Sequence, residues 1–295
     1  MKSTTKAHLA VLGTNLFFAA NFSFVKMVSP VPIPPFGLNV FRVGISLALF
    51  WIFWAFGKSP AGIAKRDVGR FALCGLTGVA INQMLFIKGL TMTSTIHASL
   101  LMLTTPLLIT VAALWVLRES LTLTKIAGLL LGGAGATVLI VSKENAVHAP
   151  DYLLGDLLIL INAVSYSIYF ILVKPLMARY SPLHVVRWVF AFGLLLILPF
   201  GITEATAVPF QSFSLQQVLA FSAVVLTGTF LAYLFNAYGI QHLGAGITGS
   251  YIYTQPVFAV LFATLLFGES LSPLKVLAAV LIFSGVYIAG RKRSE

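Results

Sequence analysis

Charge is scarce in this sequence. Only 9 % of its 295 residues are Asp, Glu, Lys or Arg, where soluble domains carry about 25 %. Acidic residues are scarcer still, eight against nineteen Lys and Arg. With 59 % hydrophobic residues, a soluble domain of this size would leave large apolar patches facing water. Cysteine occurs once, at Cys74, which excludes an intrachain disulfide and leaves Cys74 as small packing filler inside a helix. A phosphate-binding glycine loop, a paired metal-ligand motif and a Ser/His/Asp spacing are all missing. The sequence therefore argues against an enzyme and calls for no cofactor and no metal.

What is present is apolar length. Residues 47–56, 103–117, 126–141, 153–173 and 276–288 are nearly free of charge. A helix needs about 20 such residues to cross the hydrocarbon of a bilayer. Spanning segments must satisfy their own backbone polar groups, so these runs are helices, and the alternation of a membrane β-barrel is absent. The sequence predicts an all-α integral membrane protein with ten spans, at 8–28, 36–56, 68–90, 95–117, 122–142, 152–174, 183–202, 215–239, 245–267 and 272–290. The start, Lys2 to Val28, has the look of a signal peptide, but a related segment recurs near residue 155, so it reads as a retained membrane helix.

The formal charge of +11 points to loops facing the cytoplasm rather than to a nucleic acid. One set of span ends holds Lys2, Lys6, Lys58, Lys65, Arg66, Arg70, Arg118, Lys125, Lys174, Arg179, Arg291, Lys292 and Arg293; the other holds only Lys26, Lys88, Lys143 and Lys275. Both termini are thus expected in the cytoplasm.

The chain also repeats itself. "RESLTLTK" at 118–125 returns as "GESLSPLK" at 268–275. At the same shift Leu76-Thr77-Gly78 falls on Leu226-Thr227-Gly228, Pro106 on Pro256 and Gly135 on Gly285. "FSFVK" ending at Lys26 matches "YFILVK" ending at Lys174 more loosely, at a shift of 148. Such conserved spacing implies two copies of a five-helix unit, at 1–143 and 150–292. Five is odd, so the second copy enters the membrane from the opposite side. Inverted repeats serve transporters, whose halves exchange conformations around a central site.

The segments "ASLLMLTTPLLITVAALWVLRESLTLTKIAGLLLGGAGATVLI" and "GSYIYTQPVFAVLFATLLFGESLSPLKVLAAVLIFSGVYIAG" resemble the EamA-type repeat of the drug/metabolite transporter superfamily. The resemblance implies a basket-shaped fold, with spans one to four and six to nine around a central cavity and spans five and ten to one side. Within that family the chain looks most like the aromatic amino-acid and paraquat exporters of bacterial inner membranes. A multi-pass inner-membrane exporter of amino acids, aromatic and other apolar ones, is the leading expectation. A proton-coupled exporter of varied drugs and metabolites is the alternative. Its partners would be a small-molecule cargo and the bilayer, and one chain already contains both halves, so a monomer can suffice.

Polar residues inside spans are expensive and invite a functional reading. Tyr233 and Asn236 share a face of the eighth span, with Gln83 and Phe86 as repeat mates and Asn82 alongside. Tyr251 and Gln255 share a face of the ninth, matched by Leu101 and Thr105 on the fourth, where His97 lies a turn earlier. Asn15 with Phe18, and Asn162 with Tyr166 and Tyr169, do the same on the first and sixth. Asn15, Asn82, Gln83, His97, Tyr166, Tyr233, Asn236, Tyr251 and Gln255 are the candidate cargo residues; the competing reading is that they only bond helix to helix. Gly78, Pro106, Gly228 and Pro256 are candidate hinge or cavity-shaping positions. Glu119 and Glu269 read as turn residues whose carboxylates cap the start of the following helix. No carboxylate falls in the middle of a span: Asp156 is near the start of the sixth and Glu204 just past the seventh. Arg42, a turn or two into its span, reads first as snorkelling to the interface and second as a contact to a cargo carboxylate.

Overall fold

The computed structural model describes residues 3–57, 62–116, 123–141 and 151–290. Among them there is no strand. Helix α1 is Ser3–Val28, α2 Pro35–Ala55 and α3 Lys65–Leu90. Helix α4 covers 95–116, α5 is Leu123–Val141, α6 Tyr152–Met177 and α7 Pro182–Thr206. A 53-residue run, Leu215–Phe267, follows. It is broken at Gly244, whose φ of 84° and ψ of 162° are not helical, into α8 (215–243) and α9 (245–267). Helix α10 is Pro273–Gly290. Six of these stretches, α1, α2, α3, α6, α7 and Leu215–Phe267, are long and apolar enough to cross a membrane.

Gly244 sits where only glycine is at ease, because a Cβ there meets the backbone carbonyls. Replacing it strains the α8–α9 turn although nothing crowds the site. Gly244→Ala is expected to lower stability by about 1–3 kcal/mol, seen as an earlier thermal midpoint in detergent.

Helix ends explain themselves from side chains nearby. Pro35 opens α2 at the first turn, where a missing N–H costs nothing. No residue of α2 caps that end; Glu204, at the far end of α7, does so by accepting from Phe36 N (2.7 Å) and Gly37 N (2.8 Å). Ser214 and Gln217 form a reciprocal capping box at α8. Gly268, at φ 66°, closes α9 in the left-handed conformation.

Two irregularities recur 150 residues apart. Leu76–Ala80 in α3 and Leu226–Leu231 in α8 are π-helical, and each contains a candidate hinge glycine, Gly78 or Gly228. A Cβ on Gly78 would run into the Tyr169 ring, and one on Gly228 into Asn21, so both glycines admit a side chain from a neighbouring helix. Met102–Thr104 and Tyr251–Thr254 are 3-10 turns. Pro106 and Pro256 each stand two residues beyond, in the first turn of the α-helical segment that follows. The prolines therefore do not interrupt a continuous α ladder; they restart it after a tight turn.

Helix α1 packs on α8 and α9, and α6 packs on α3 and α4. Helix α2 lies along α7, and α5 along α10. Glycines set the last seam: Gly285 faces the backbone of Gly128 and Gly132, and Gly135 faces that of Ala278. Cys74 is buried, as packing filler should be.

Candidate functional site

A cavity of ≈ 50 Å³ lies among seven helices. Phe18, Asn21 and Phe22 come from α1, Arg42 from α2, and Asn82, Gln83 and Phe86 from α3. Met102 of α4, Asn162 and Tyr166 of α6, Tyr233 of α8 and Gln255 of α9 complete it. By the space a buried water needs, it holds about three or four. A whole amino acid requires the helices to part.

Five of the nine candidate residues line this space: Asn82, Gln83, Tyr166, Tyr233 and Gln255. Two more stand directly behind it. Asn236 Nδ2 donates to the Tyr166 hydroxyl (2.9 Å), and Gln255 Nε2 donates to Asn15 Oδ1 (2.7 Å). The Tyr233 hydroxyl donates toward Asn82 Oδ1 (3.1 Å) and lies 3.3 Å from Gly78 O in the α3 π turn. Aromatic edges close the walls, Phe22 against Phe86 at 5.1 Å and Tyr233 against Phe190 at 5.0 Å. Helix-to-helix bonding and cavity lining are thus the same residues in two roles.

His97 and Tyr251 do not line the cavity. His97 Nε2 lies 3.4 Å from Asp156 Oδ2, and both side chains are at most 1 % exposed. Thr93 Oγ1 donates to the other oxygen of Asp156 (2.8 Å). This cluster joins α4 to α6. Tyr251 Oη lies 2.8 Å from His8 Nδ1, joining α9 to α1. Both residues lie near helix ends, beyond the cavity's reach. Asp156, near the start of α6, is fully buried rather than wetted by an interface.

Glu269 differs from expectation as well. Its carboxylate accepts from Thr95 N (3.1 Å) and Ile96 N (3.0 Å) at the start of α4, not from the helix that follows it in sequence. Ser94 caps the same end by accepting from His97 N. The N-terminus of α4 attracts the carboxylate for the usual dipolar reason, with the partner supplied from the other half of the chain. Glu119 lies outside the described residues.

The residue that sequence reasoning undervalued is Arg42. It is 2 % exposed and reaches inward, not toward an interface. Nε donates to Thr229 Oγ1 (2.9 Å) and Nη2 to Gly228 O (3.4 Å), both in the α8 π turn. Nη1 has no partner. No described carboxylate neutralises it: Asp67 pairs with Arg179 and Tyr180, Asp156 with His97 and Thr93, Glu204 and Glu269 cap helices, and Asp151 is exposed. The other deeply buried arginine, Arg187, lies 4.4 Å from the rings of both Trp51 and Trp54, away from the cavity. A buried cation without a counter-charge is costly, and here it lines the cavity.

Among the described residues no three His, Cys, Asp or Glu side chains converge as a metal site would need.

The profile of the EamA-like transporter family matches residues 5–141 and again 153–291. An uncharacterized transporter of Archaeoglobus fulgidus is 26 % identical over 99 % of both chains. A probable terminal-alkyne amino-acid exporter of Streptantibioticus cattleyicolor is 28 % identical over 87 % of this chain and 84 % of its own. A protein crystal structure at 22 % identity superposes with a TM-score of 0.66 over 97 % of both chains, which shows the same fold. The chain belongs to the EamA-like transporter family, as a multi-pass membrane transporter and not an enzyme.

Proposed function

We propose that the protein exports amino acids, aromatic and other apolar ones, across a bacterial inner membrane by alternating access to the central cavity. The observation that carries this reading is the unneutralised guanidinium of Arg42 among aromatic walls. A carboxylate-bearing cargo with an apolar side chain supplies the missing counter-charge and fills the walls. Export as the direction is supported by the name of the Streptantibioticus cattleyicolor relative.

Alternating access rests on ten spans in two inverted five-helix repeats, 1–143 and 150–292, with both termini in the cytoplasm. The recurrence of π turns, 3-10 turns and family matches at the repeat spacing supports it. So does the packing, which maps onto itself when the halves are exchanged: α1 on α8 and α9 becomes α6 on α3 and α4. His8 is the counterpart of Asp156 at the 148-residue shift. The His8–Tyr251 contact would then be the cytoplasmic latch and the Asp156–His97 cluster the outer one. One chain holds both halves, so a monomer can suffice.

The buried Asp156–His97 pair favours a second reading, a proton-coupled exporter of varied drugs, because it provides a carboxylate within the membrane. Arg42 opposes cationic cargo in the same cavity. Cells making this protein are expected to tolerate toxic levels of single apolar amino acids or dipeptides. Gln255→Ala at equal expression should remove that tolerance. Tolerance to cationic drugs alone would favour the second reading instead.

A further inference from the structure

The polarity of the cavity wall is fixed by hydrogen bonds made behind it, and it is not the polarity of a simple anion site. An asparagine or glutamine amide is ambiguous until one end is committed. Here the committed ends are known. Asn162 Nδ2 donates to the backbone carbonyl of Asn82 (2.6 Å), which can only accept. The carbonyl oxygen of Asn162 is therefore the end left over, and it is buried without a partner. Asn15 Nδ2 donates to Val11 O (2.7 Å), so Asn15 offers its oxygen to Gln255 Nε2. That relay commits the NH2 of Gln255 to Asn15 and leaves Gln255 Oε1 as its other end. On the donor side stand Arg42 Nη1 and the Tyr166 hydroxyl. With the Asn236 amide as placed, the hydroxyl accepts from its Nδ2 and keeps its own hydrogen to give; unlike Asn162 and Asn15, Asn236 has no backbone carbonyl committing its NH2.

Arg42 Nη1 and the Tyr166 hydroxyl as donors and Asn162 Oδ1 and Gln255 Oε1 as acceptors thus share one cavity of ≈ 50 Å³, beside the Asn21 oxygen, a further unpartnered acceptor, and the Gln83 amide, whose unpartnered ends can serve either charge. A plain carboxylate would satisfy Arg42 and Tyr166 and would meet the oxygens of Asn162 and Gln255 as repelling dipoles. A plain amine would suit the two oxygens and meet Arg42. A head group with both charges on one carbon satisfies both sides. On the reading that the cavity is the cargo site, we infer that Asn162 and Gln255 form an ammonium subsite beside the Arg42 carboxylate subsite, so the cargo is selected as a zwitterion. Relays from Asn82 and Asn15 position the two acceptors, while Phe22, Phe86 and Met102 face the cargo's apolar part.

The test uses the full-length protein in liposomes, with counterflow of labelled L-phenylalanine as the readout. Three unlabelled competitors are compared: L-phenylalanine, 3-phenylpropanoate, which lacks the ammonium, and phenethylamine, which lacks the carboxylate. The expected result is that each one-charged analogue competes at least about tenfold more weakly than phenylalanine, since each leaves buried polar groups unpaired. Asn162→Leu and Gln255→Met should narrow the gap between phenylalanine and 3-phenylpropanoate about tenfold, weakening phenylalanine and, with the repelling oxygens gone, strengthening 3-phenylpropanoate. The wild-type series needs no variant to fold. Equal competition by phenylalanine and 3-phenylpropanoate overturns the ammonium subsite while leaving Arg42 as a carboxylate site. Equal competition by phenethylamine overturns the zwitterion and the Arg42 reading together. Absence of phenylalanine counterflow fails the proposed function itself, and the two failures are told apart by whether any label moves.

Discussion

Arg42→Met stops transport of carboxylate-bearing cargo and leaves the protein at least as resistant to heat as the parent. The two halves of this result have one cause. In the cavity Arg42 Nη1 has no partner, and the guanidinium is held by a hydroxyl and a carbonyl of the α8 π turn, neither of them charged. Keeping such a cation buried costs stability, and well-packed apolar replacements of buried charges are often neutral or stabilising by about 1–4 kcal/mol. Methionine keeps much of the length and bends to fill the space. Cargo, in contrast, loses its counter-charge. Removing one member of a buried, hydrogen-bonded charge pair costs about 2–5 kcal/mol, so apparent affinity should fall at least about 30-fold. Thermal unfolding in detergent and phenylalanine counterflow, read on the same preparation, check both halves. A variant that loses stability along with transport would make Arg42 a structural residue.

The second large effect lies far from the cavity. A Cβ on Gly285 would stand 2.5 Å from Gly132 N and 2.6 Å from Gly128 O. These are backbone atoms of α5 and cannot rotate away, so α10 would have to move off its partner. Gly285→Val is expected to cost about 1–3 kcal/mol or more, with a thermal midpoint lower by roughly 5 °C. Gly133, on the outward face of α5, has nothing within 4 Å of its would-be Cβ. Gly133→Val therefore serves as the matched control and should be silent. Equal losses from both would mean that helix propensity, not the seam, governs this pair.

How far the residues themselves announced this arrangement depends on where each partner lies. The all-helical, membrane-spanning character was readable because apolar length acts locally. Gln83, Tyr233 and Gln255, picked out by helical spacing and by the repeat positions of Gln83 and Tyr233, all lie on the cavity wall. Arg42 was not readable, because an arginine two turns into an apolar helix looks the same whether it reaches a headgroup or a cavity. What decides it is the π turn at Thr229, 187 residues away. Glu269 was read as a cap correctly in kind but assigned to the wrong helix, since the N–H groups it meets belong to Thr95 and Ile96. His97 turns to Asp156 on α6 instead of the cavity, which follows from the packing of α4 on α6. Hydrogen-bond polarity inside the cavity is also invisible in one dimension, because it needs the relays from Asn82 to Asn162 and from Asn15 to Gln255.

The central claim is that the Arg42 cavity carries amino acids. Its most direct test is phenylalanine counterflow in liposomes containing the wild-type protein, beside liposomes containing Arg42→Met and liposomes without protein. The account predicts transient accumulation of label with the wild type and none above the empty liposomes with Arg42→Met. Accumulation by Arg42→Met at the wild-type rate would contradict it.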